Sequence, residues 1–477
     1  MKSASTVTAG LIVLVWLILC PAGVFGQPER SPADDLLLEK IRVMEAQLEK
    51  LNKDLEALKT ELAAKAPKAA PDAARKDEAP EPPVANEPPQ DLPGVSLGNG
   101  IRLVPYGTVY FNAFANTSGT NNTDVPLWAT ANEEENLGMS LRQTRFGVRM
   151  EGARAGNAVV KGVVEADFYG GLPAVGVGEN FGVVRLRVAK VRFEWEKAAL
   201  SVGQDWIVFA PRNPTSLAAA AIPQFAASGN LWSRLPQVRA ERKFAGGKYL
   251  IEGAVLAPTS GDFPSGPDSP FLLQPGAASR SLVPSFEGRA AYNGANWLGT
   301  GKPGSIAVSA HFGRTKVSGS DLASFGVAAD WGFPIVNRVV LSGELFTGEN
   351  LGGLQGGIFQ GYNPDFVEPG SPEGDSGAPR GITTRGGWAQ ISFTPPVLKD
   401  RLSFHGSAGI DDPSDEDLFS ASPRNWRTRN LSFAASVIYK PIPKLSIGGE
   451  FRRFETTYLI TGRRTAGHFN LGAAYEF

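Results

Sequence analysis

The last twelve residues end in His468, Phe469, Asn470, Leu471, Gly472, Ala473, Ala474, Tyr475, Glu476 and Phe477, apolar at the odd positions and polar or small at the even ones. A period of two describes a strand with one greasy face and one wet face. The same texture begins at Ile101 and marks segments near 101–114, 140–151, 158–169, 183–195, 198–205, 236–245, 248–257, 283–293, 304–314, 321–332, 336–347, 384–394, 400–411, 427–440, 443–456 and 466–477. Their lengths suit tilted transmembrane strands, and aromatic rings at Tyr475 and Phe477 suit a closing strand whose end meets the membrane boundary. The pattern predicts an all-β fold over 99–477: an antiparallel transmembrane β-barrel of about 16 strands.

The connections sort by length. Short ones fall at 152–157, 246–247 and 441–443, long ones at 116–139, 210–235, 258–282, 348–383 and 412–427. Barrels with periplasmic turns and extracellular loops are built this way, and an even strand number leaves both barrel ends on the short-turn side.

Upstream the period changes. Leu37, Ile41, Met44, Leu48, Leu51, Leu55, Leu58 and Leu62 alternate steps of four and three, a heptad with Ile41, Leu48, Leu55 and Leu62 at a and the other four at d. Lys40 facing Glu45 and Asp54 facing Lys59 favour parallel, in-register helices, so an α-helical coiled coil is expected over 27–65. Residues 66–98 are rich in Ala, Pro and charge, a stiff spacer that cannot build a core. Before the heptad, Lys2, an apolar run from Ala9 to Cys20 and small residues up to Gly26 read as a cleaved signal peptide, 1–26; the run is too short to span a bilayer. Cys20 is the one cysteine, so the processed chain has no disulfide, thiol chemistry or cysteine-held metal.

Composition narrows the partners. The 477 residues carry a formal charge of −1, which gives no reason to expect nucleic acid. Mean hydropathy of −0.13 suits a barrel as well as a soluble protein, because lumen residues dilute lipid-facing ones.

If the apolar phase faces lipid, the other phase lines the lumen. That places inward Arg145, Arg149 and Glu151 on the second strand, Lys161, Glu165 and Asp167 on the third, and Arg185 and Arg187 on the fourth. The fourth strand then slips phase, and a bulge near Ala189 would return Lys190 and Arg192 to the lumen. Glu287, Arg289, His405, Glu450 and Arg452 follow on later strands. Two readings compete. In one, guanidinium groups form a cationic ladder that binds carboxylate or phosphate and selects anions. In the other, Glu151, Glu165, Asp167 and Asp205 neutralise the arginines and the pairs merely fill the wall.

Three stretches add a resemblance: Glu165-Ala166-Asp167-Phe168-Tyr169-Gly170, Arg185-Leu186-Arg187-Val188-Ala189-Lys190-Val191, and Val202-Gly203-Gln204-Asp205-Trp206 followed by Pro211-Arg212-Asn213-Pro214. This resembles the DcaP-like trimeric outer-membrane porins and, more loosely, the phosphate-selective porins. The motifs cover about an eighth of the chain; the heptad-then-barrel layout covers nearly all of it. Lys190 departs from the family pattern, which has an aromatic there. The resemblance implies a homotrimer in the outer membrane of a Gram-negative-type bacterium, in contact with lipid and with the barrel-assembly machinery, passing small anionic solutes such as dicarboxylates or phosphate.

The long connection at about 206–235 holds Leu217-Ala218-Ala219-Ala220-Ala221-Ile222, too apolar for a loop in water. It is expected to fold into the barrel as a constriction, with Arg212 and Arg234 as rim cations, or else to pack against a neighbouring subunit. Three isolated histidines, His311, His405 and His468, give neither metal-ligand spacing nor a nucleophile motif, so no catalytic residue, metal or cofactor is expected. Other functions to weigh are an envelope tether working through the coiled coil, a barrel hydrolase using His405, and a sugar channel with Tyr106, Tyr110 and Tyr169 as an aromatic slide.

Overall fold

In a computed structural model the chain divides into Met1–Asp77 and Glu78–Phe477. The structure describes Lys53 and residues 94–98, 100–132, 134–171, 182–261, 275–372 and 376–477. The expected signal peptide, the heptad positions Leu37 to Leu62 and the spacer up to residue 93 lie outside the described residues.

Sixteen staves close into one ring. They are β1 Ile101–Asn116, β2 Arg145–Ala155, β3 Ala158–Asp167, β4 Arg185–Glu194, β5 Ala198–Trp206, β6 Arg234–Phe244, β7 Tyr249–Leu256, β8 Ser285–Gly294, β9 Gly304–Val317, β10 Ser320–Val336, β11 Val339–Glu349, β12 Thr383–Phe393, β13 Leu402–Pro413, β14 Arg427–Ile442, β15 Leu445–Tyr458 and β16 Gly462–Glu476. Neighbours pair antiparallel in chain order, and β1 returns to β16, Thr108 opposite Glu476 through Asn116 opposite His468. The short strand Asn136–Ser140 extends β2 along the far half of β1, and Val95–Gly98 pairs with the near end of β1.

Each of the sixteen segments expected from the periodicity overlaps one stave. Two connections on the long-loop side are short: Ser318-Gly319, both with positive φ as a twisted two-residue hairpin requires, and residues 459–461. The phase slip of β4 is real but lies earlier than expected. Glu165 faces Val188 while Ala166 faces Leu186, which makes Arg187 the extra residue of a bulge and keeps both Arg187 and Lys190 on the inner face.

The burial pattern is inverted relative to a water-soluble fold. Asn112, Asp167, Asp330, Glu344, Asn430 and Thr456 are fully buried, whereas Val148, Val308, Phe325, Phe433, Phe469 and Leu471 face outward and are exposed. Apolar outside and polar inside is what hydrocarbon solvent selects. Near the short-turn end the rings Tyr249, Tyr292, Trp297 and Phe333 touch in sequence around the outer wall, as an interfacial girdle does.

The larger buried apolar clusters form where inward loops meet the staves. Residues 120–129, 207–233 and 350–366 fold inward, and Leu127, Ala226, Ala227, Trp232 and Ile358 from all three pack together, with Trp128, Trp206, Ile222 and Phe359 around them.

Candidate functional site

The loop 207–233 is held on nearly every side of the barrel by side chains that answer its main-chain groups. On β8, Glu287 Oε2 accepts the Val208 and Phe209 N–H groups at 2.8 and 3.0 Å. Gln390 of β12 exchanges two hydrogen bonds with Thr215. Glu450 of β15 accepts from Ser216 Oγ and Gln224 Nε2. Gln143, in the turn before β2, accepts from the Ala220 and Ala221 N–H groups at 2.7 and 2.9 Å and donates to the Ala218 carbonyl at 3.0 Å. Asn430 of β14 donates to the Ala227 carbonyl. A backbone buried away from water needs such partners, and the polar inner wall supplies them. The alanine run is therefore inside the barrel, its methyl groups small enough to let the chain cross.

A charge cluster surrounds the Ala220 and Ala221 carbonyls. Arg185 grips the fully buried Asp167 through Nε and Nη2, at 3.1 and 2.7 Å, and also donates to the Ala221 carbonyl. The bulge turns Arg187 so that it reaches Glu165 at 2.7 Å and Asp167 at 2.8 Å. Two further guanidiniums have no carboxylate partner among the described residues. Arg145 stands opposite Asp167 across the β2–β3 ladder but lies over the Tyr110 ring, 5.7 Å from its centroid. Arg234, where the loop rejoins the wall, lies 4.1 Å from the Trp206 ring centroid and 5.2 Å from that of Trp232. It donates once, to the Ala221 carbonyl, and its Nε is buried without a partner. Arg145 acts electrostatically on Glu165, and Arg234 feels Arg185, Arg187, Asp167 and Glu165. Four cations against two carboxylates leave the cluster at +2.

The remaining expected lumen residues are balanced. Arg149 reaches Glu151 only at 3.9 Å and lies over Tyr106. Lys161, half exposed near the short-turn end, pairs with Glu194, and Lys190 pairs with Asp205, both at 2.7 Å. Arg192 is shared by Glu194 and Glu241. Arg212 is a buried loop side chain paired with Asp330 rather than a rim cation; burial pulls its guanidinium down from the usual range, with Asp330 opposing. Arg289 joins Asp330 to Glu252, Arg239 joins Glu241 to Glu252, and Arg452 pairs with Glu450 at 2.7 Å.

Five partners escaped the sequence argument: Glu194, Glu241, Glu252, Asp330 and Arg239. They sit on β4, β6, β7 and β10, on the same stave as their arginines or one or two staves away, and the pairing register that sets them side by side is not written in the periodicity; the inward loop adds Arg212 to Asp330. Gln143 escaped too, because a neutral amide in a turn carries no pattern. The three tyrosines considered as a sugar slide are each covered by a guanidinium. Tyr169 in addition bonds Asp124 and Asn122, and burial followed by the Asp124 charge pushes its hydroxyl up. His405 lies between Ser392 and Ser403 with no acid. His311 links Glu287, at 3.1 Å, to Ser324, whose hydroxyl donates to the Asn350 carbonyl. All three side chains are buried, so this row is a strut between the starts of two inward loops.

No family model matches the chain, and no curated protein is similar to it in sequence. Among solved structures, the outer membrane channel DcaP of Acinetobacter baumannii is 17% identical, with a TM-score of 0.59 over 81% of this chain and 100% of that chain. In fold, this chain is similar to that channel. An anion-selective porin from Comamonas acidovorans is 13% identical, with a TM-score of 0.49 over 79% of this chain and 100% of that one.

Proposed function

We propose that this chain is an outer-membrane porin through which small solutes diffuse passively, with a preference for anions. The observation that carries the reading is the charge cluster at the inward loop, where Arg145 and Arg234 add two uncompensated guanidiniums to the Arg185 and Arg187 pairs. Charge fixed at a narrowing sets ion selectivity, and arginine keeps its proton throughout the relevant pH range. The remainder of the wall, balanced by Glu194, Glu241, Glu252 and Asp330, contributes little net field. Arg145, Arg149, Lys161, Arg185, Arg187, Arg192, Arg212, Arg289 and Arg452 form the solute path in this reading, with loop 207–233 as its constriction. DcaP and the Comamonas porin, a channel and an anion-selective porin by their own descriptions, are in keeping with it.

The reading extends to the rest of the chain. Residues 1–26 direct export, 27–65 form a periplasmic coiled coil that clamps a homotrimer, and 66–98 space it from the barrel. The test is the reversal potential of single channels in a salt gradient. Permeability to chloride above that to potassium is expected; equal or inverted permeabilities would remove the anion preference and leave only a channel.

A further inference from the structure

Outside the barrel, β14 to β16 carry an apolar surface that ends abruptly in charge. Phe433, Phe451, Phe469 and Leu471 face outward, with the Phe451 and Phe469 rings 4.9 Å apart. One outward step further toward the long-loop end, Phe451 gives way to Arg453, which stands opposite Phe433 on β14 and Gly467 on β16. Beyond it lie Glu455, Arg463 and Arg429, on the same outer face. Among the described residues of β14 to β16, Glu455 is the one carboxylate on this part of the outer face, bonded by Arg453 at 3.0 Å and by Arg463 at 2.5 Å. Three cations against one anion leave the patch at +2, and the Arg453 and Arg463 side chains remain 51% and 58% exposed.

The height of the patch identifies its surroundings. From Phe477 to Gly467 is ten residues of β16, roughly 33 Å along the strand at about 3.3 Å per residue and about 25 Å along the membrane normal at a tilt of roughly 40°. That is the height of a barrel's lipid-facing band, so Arg453 begins where hydrocarbon ends. At another point of the rim the arrangement differs: outward-facing Arg385 of β12 pairs one to one with Asp412 of β13. With the long loops outward, the boundary above β14 to β16 is the headgroup level of the outer leaflet, whose glycolipid carries phosphates at that depth.

We propose that Arg429, Arg453 and Arg463 form an external site for the phosphates of lipid A, whose acyl chains lie over Phe433, Phe451 and Phe469. Guanidinium forks bind phosphate oxygens in pairs, and a ring-lined surface below them suits saturated chains. Glu455 orients two of the arginines while leaving donors free. The proposal takes its orientation from the porin reading, but its readout is independent of conduction.

The test titrates the detergent-purified full-length protein with bisphosphorylated lipid A, phosphate-free lipid A and phosphatidylglycerol, following bound lipid by native mass spectrometry. Conductance is recorded on the same samples. Expected are preferential binding of the bisphosphorylated form, at least tenfold weaker binding in the triple variant Arg429→Gln, Arg453→Gln, Arg463→Gln, partial rescue by the triple lysine variant, and unchanged conductance throughout. Equal binding of phosphate-free lipid, undiminished binding by the glutamine variant, or equally tight phosphatidylglycerol would each overturn the site. So would Arg453→Cys cross-linking to a second copy in the native oligomer, which would make the patch a subunit contact. Lipid binding as expected without any conductance would sink the porin reading alone.

Discussion

Replacing Arg145 by glutamine removes one of the two uncompensated charges at the inward loop and takes the cluster from +2 to +1. The side chain has no carboxylate partner, so the change leaves no buried acid stranded and the Asp167 contacts with Arg185 and Arg187 stay intact. An ion passing about 6 Å from a unit charge in water gains or loses roughly 0.7 kcal/mol. An anion loses that amount and a cation gains it, a difference of about 1.4 kcal/mol, or about tenfold in the chloride-to-potassium permeability ratio. Screening then gives the result a signature. At 0.1 M salt the Debye length of about 10 Å lets the charge act, whereas at 1 M, with about 3 Å, the two channels should converge. Reversal potentials at both ionic strengths measure this directly. Arg145→Lys should keep the wild-type ratio and Arg145→Glu should change it about twice as far on a logarithmic scale. A glutamine variant with normal conductance and a ratio within about twofold of wild type at 0.1 M would place Arg145 off the ion path and refute the reasoning.

Other consequences concern how the loop and walls are held. Asp167→Ala strands Arg185 and Arg187 without their shared partner and should destabilise the barrel by about 3–5 kcal/mol, seen as unfolding at lower urea in a gel-shift assay. Gln143→Ala removes three hydrogen bonds to Ala218, Ala220 and Ala221, costing roughly 1–3 kcal/mol locally; increased open-channel current noise with an unchanged barrel melting point is the expected result. Gly229 has φ +103° and a Cβ there would lie 2.1 Å from the Gly387 carbonyl oxygen, so Gly229→Ala should displace the loop from β12 and raise conductance. Deleting residues 27–93 should leave conductance per barrel intact while lowering the temperature at which the oligomer dissociates; loss of an envelope-attachment phenotype in cells carrying the deletion would instead favour a tether role for the N-terminal region.

The staves were legible because hydrocarbon and lumen impose a period of two along each of them. Tyr106, Tyr110, Arg145 and Arg149 fall on the inner face for that reason alone. The alanine run betrayed the inward loop because it is too apolar for water. Charge pairing was less legible. Whether a lumen arginine is free depends on the register of staves up to two places away, as with Arg289 and Asp330, and on a bulge whose position within β4 periodicity cannot fix to the residue. The connections 116–139 and 348–383 were read only as loops, since their apolar runs, Val125 to Ala129 and Ile358-Phe359, are short and flanked by turn residues.

Thr108 to Asn116, near the start of the barrel, have as their mates on one side only Glu476 back to His468, and the terminal residue itself bonds Gly107 through both its amide and its carbonyl. The ring thus has no partial form with satisfied edges: fifteen staves would leave two unpaired rims facing solvent or lipid. Until β16 is in place, that edge of β1 has nothing to zip onto, so closure is all or none and waits on the last stave.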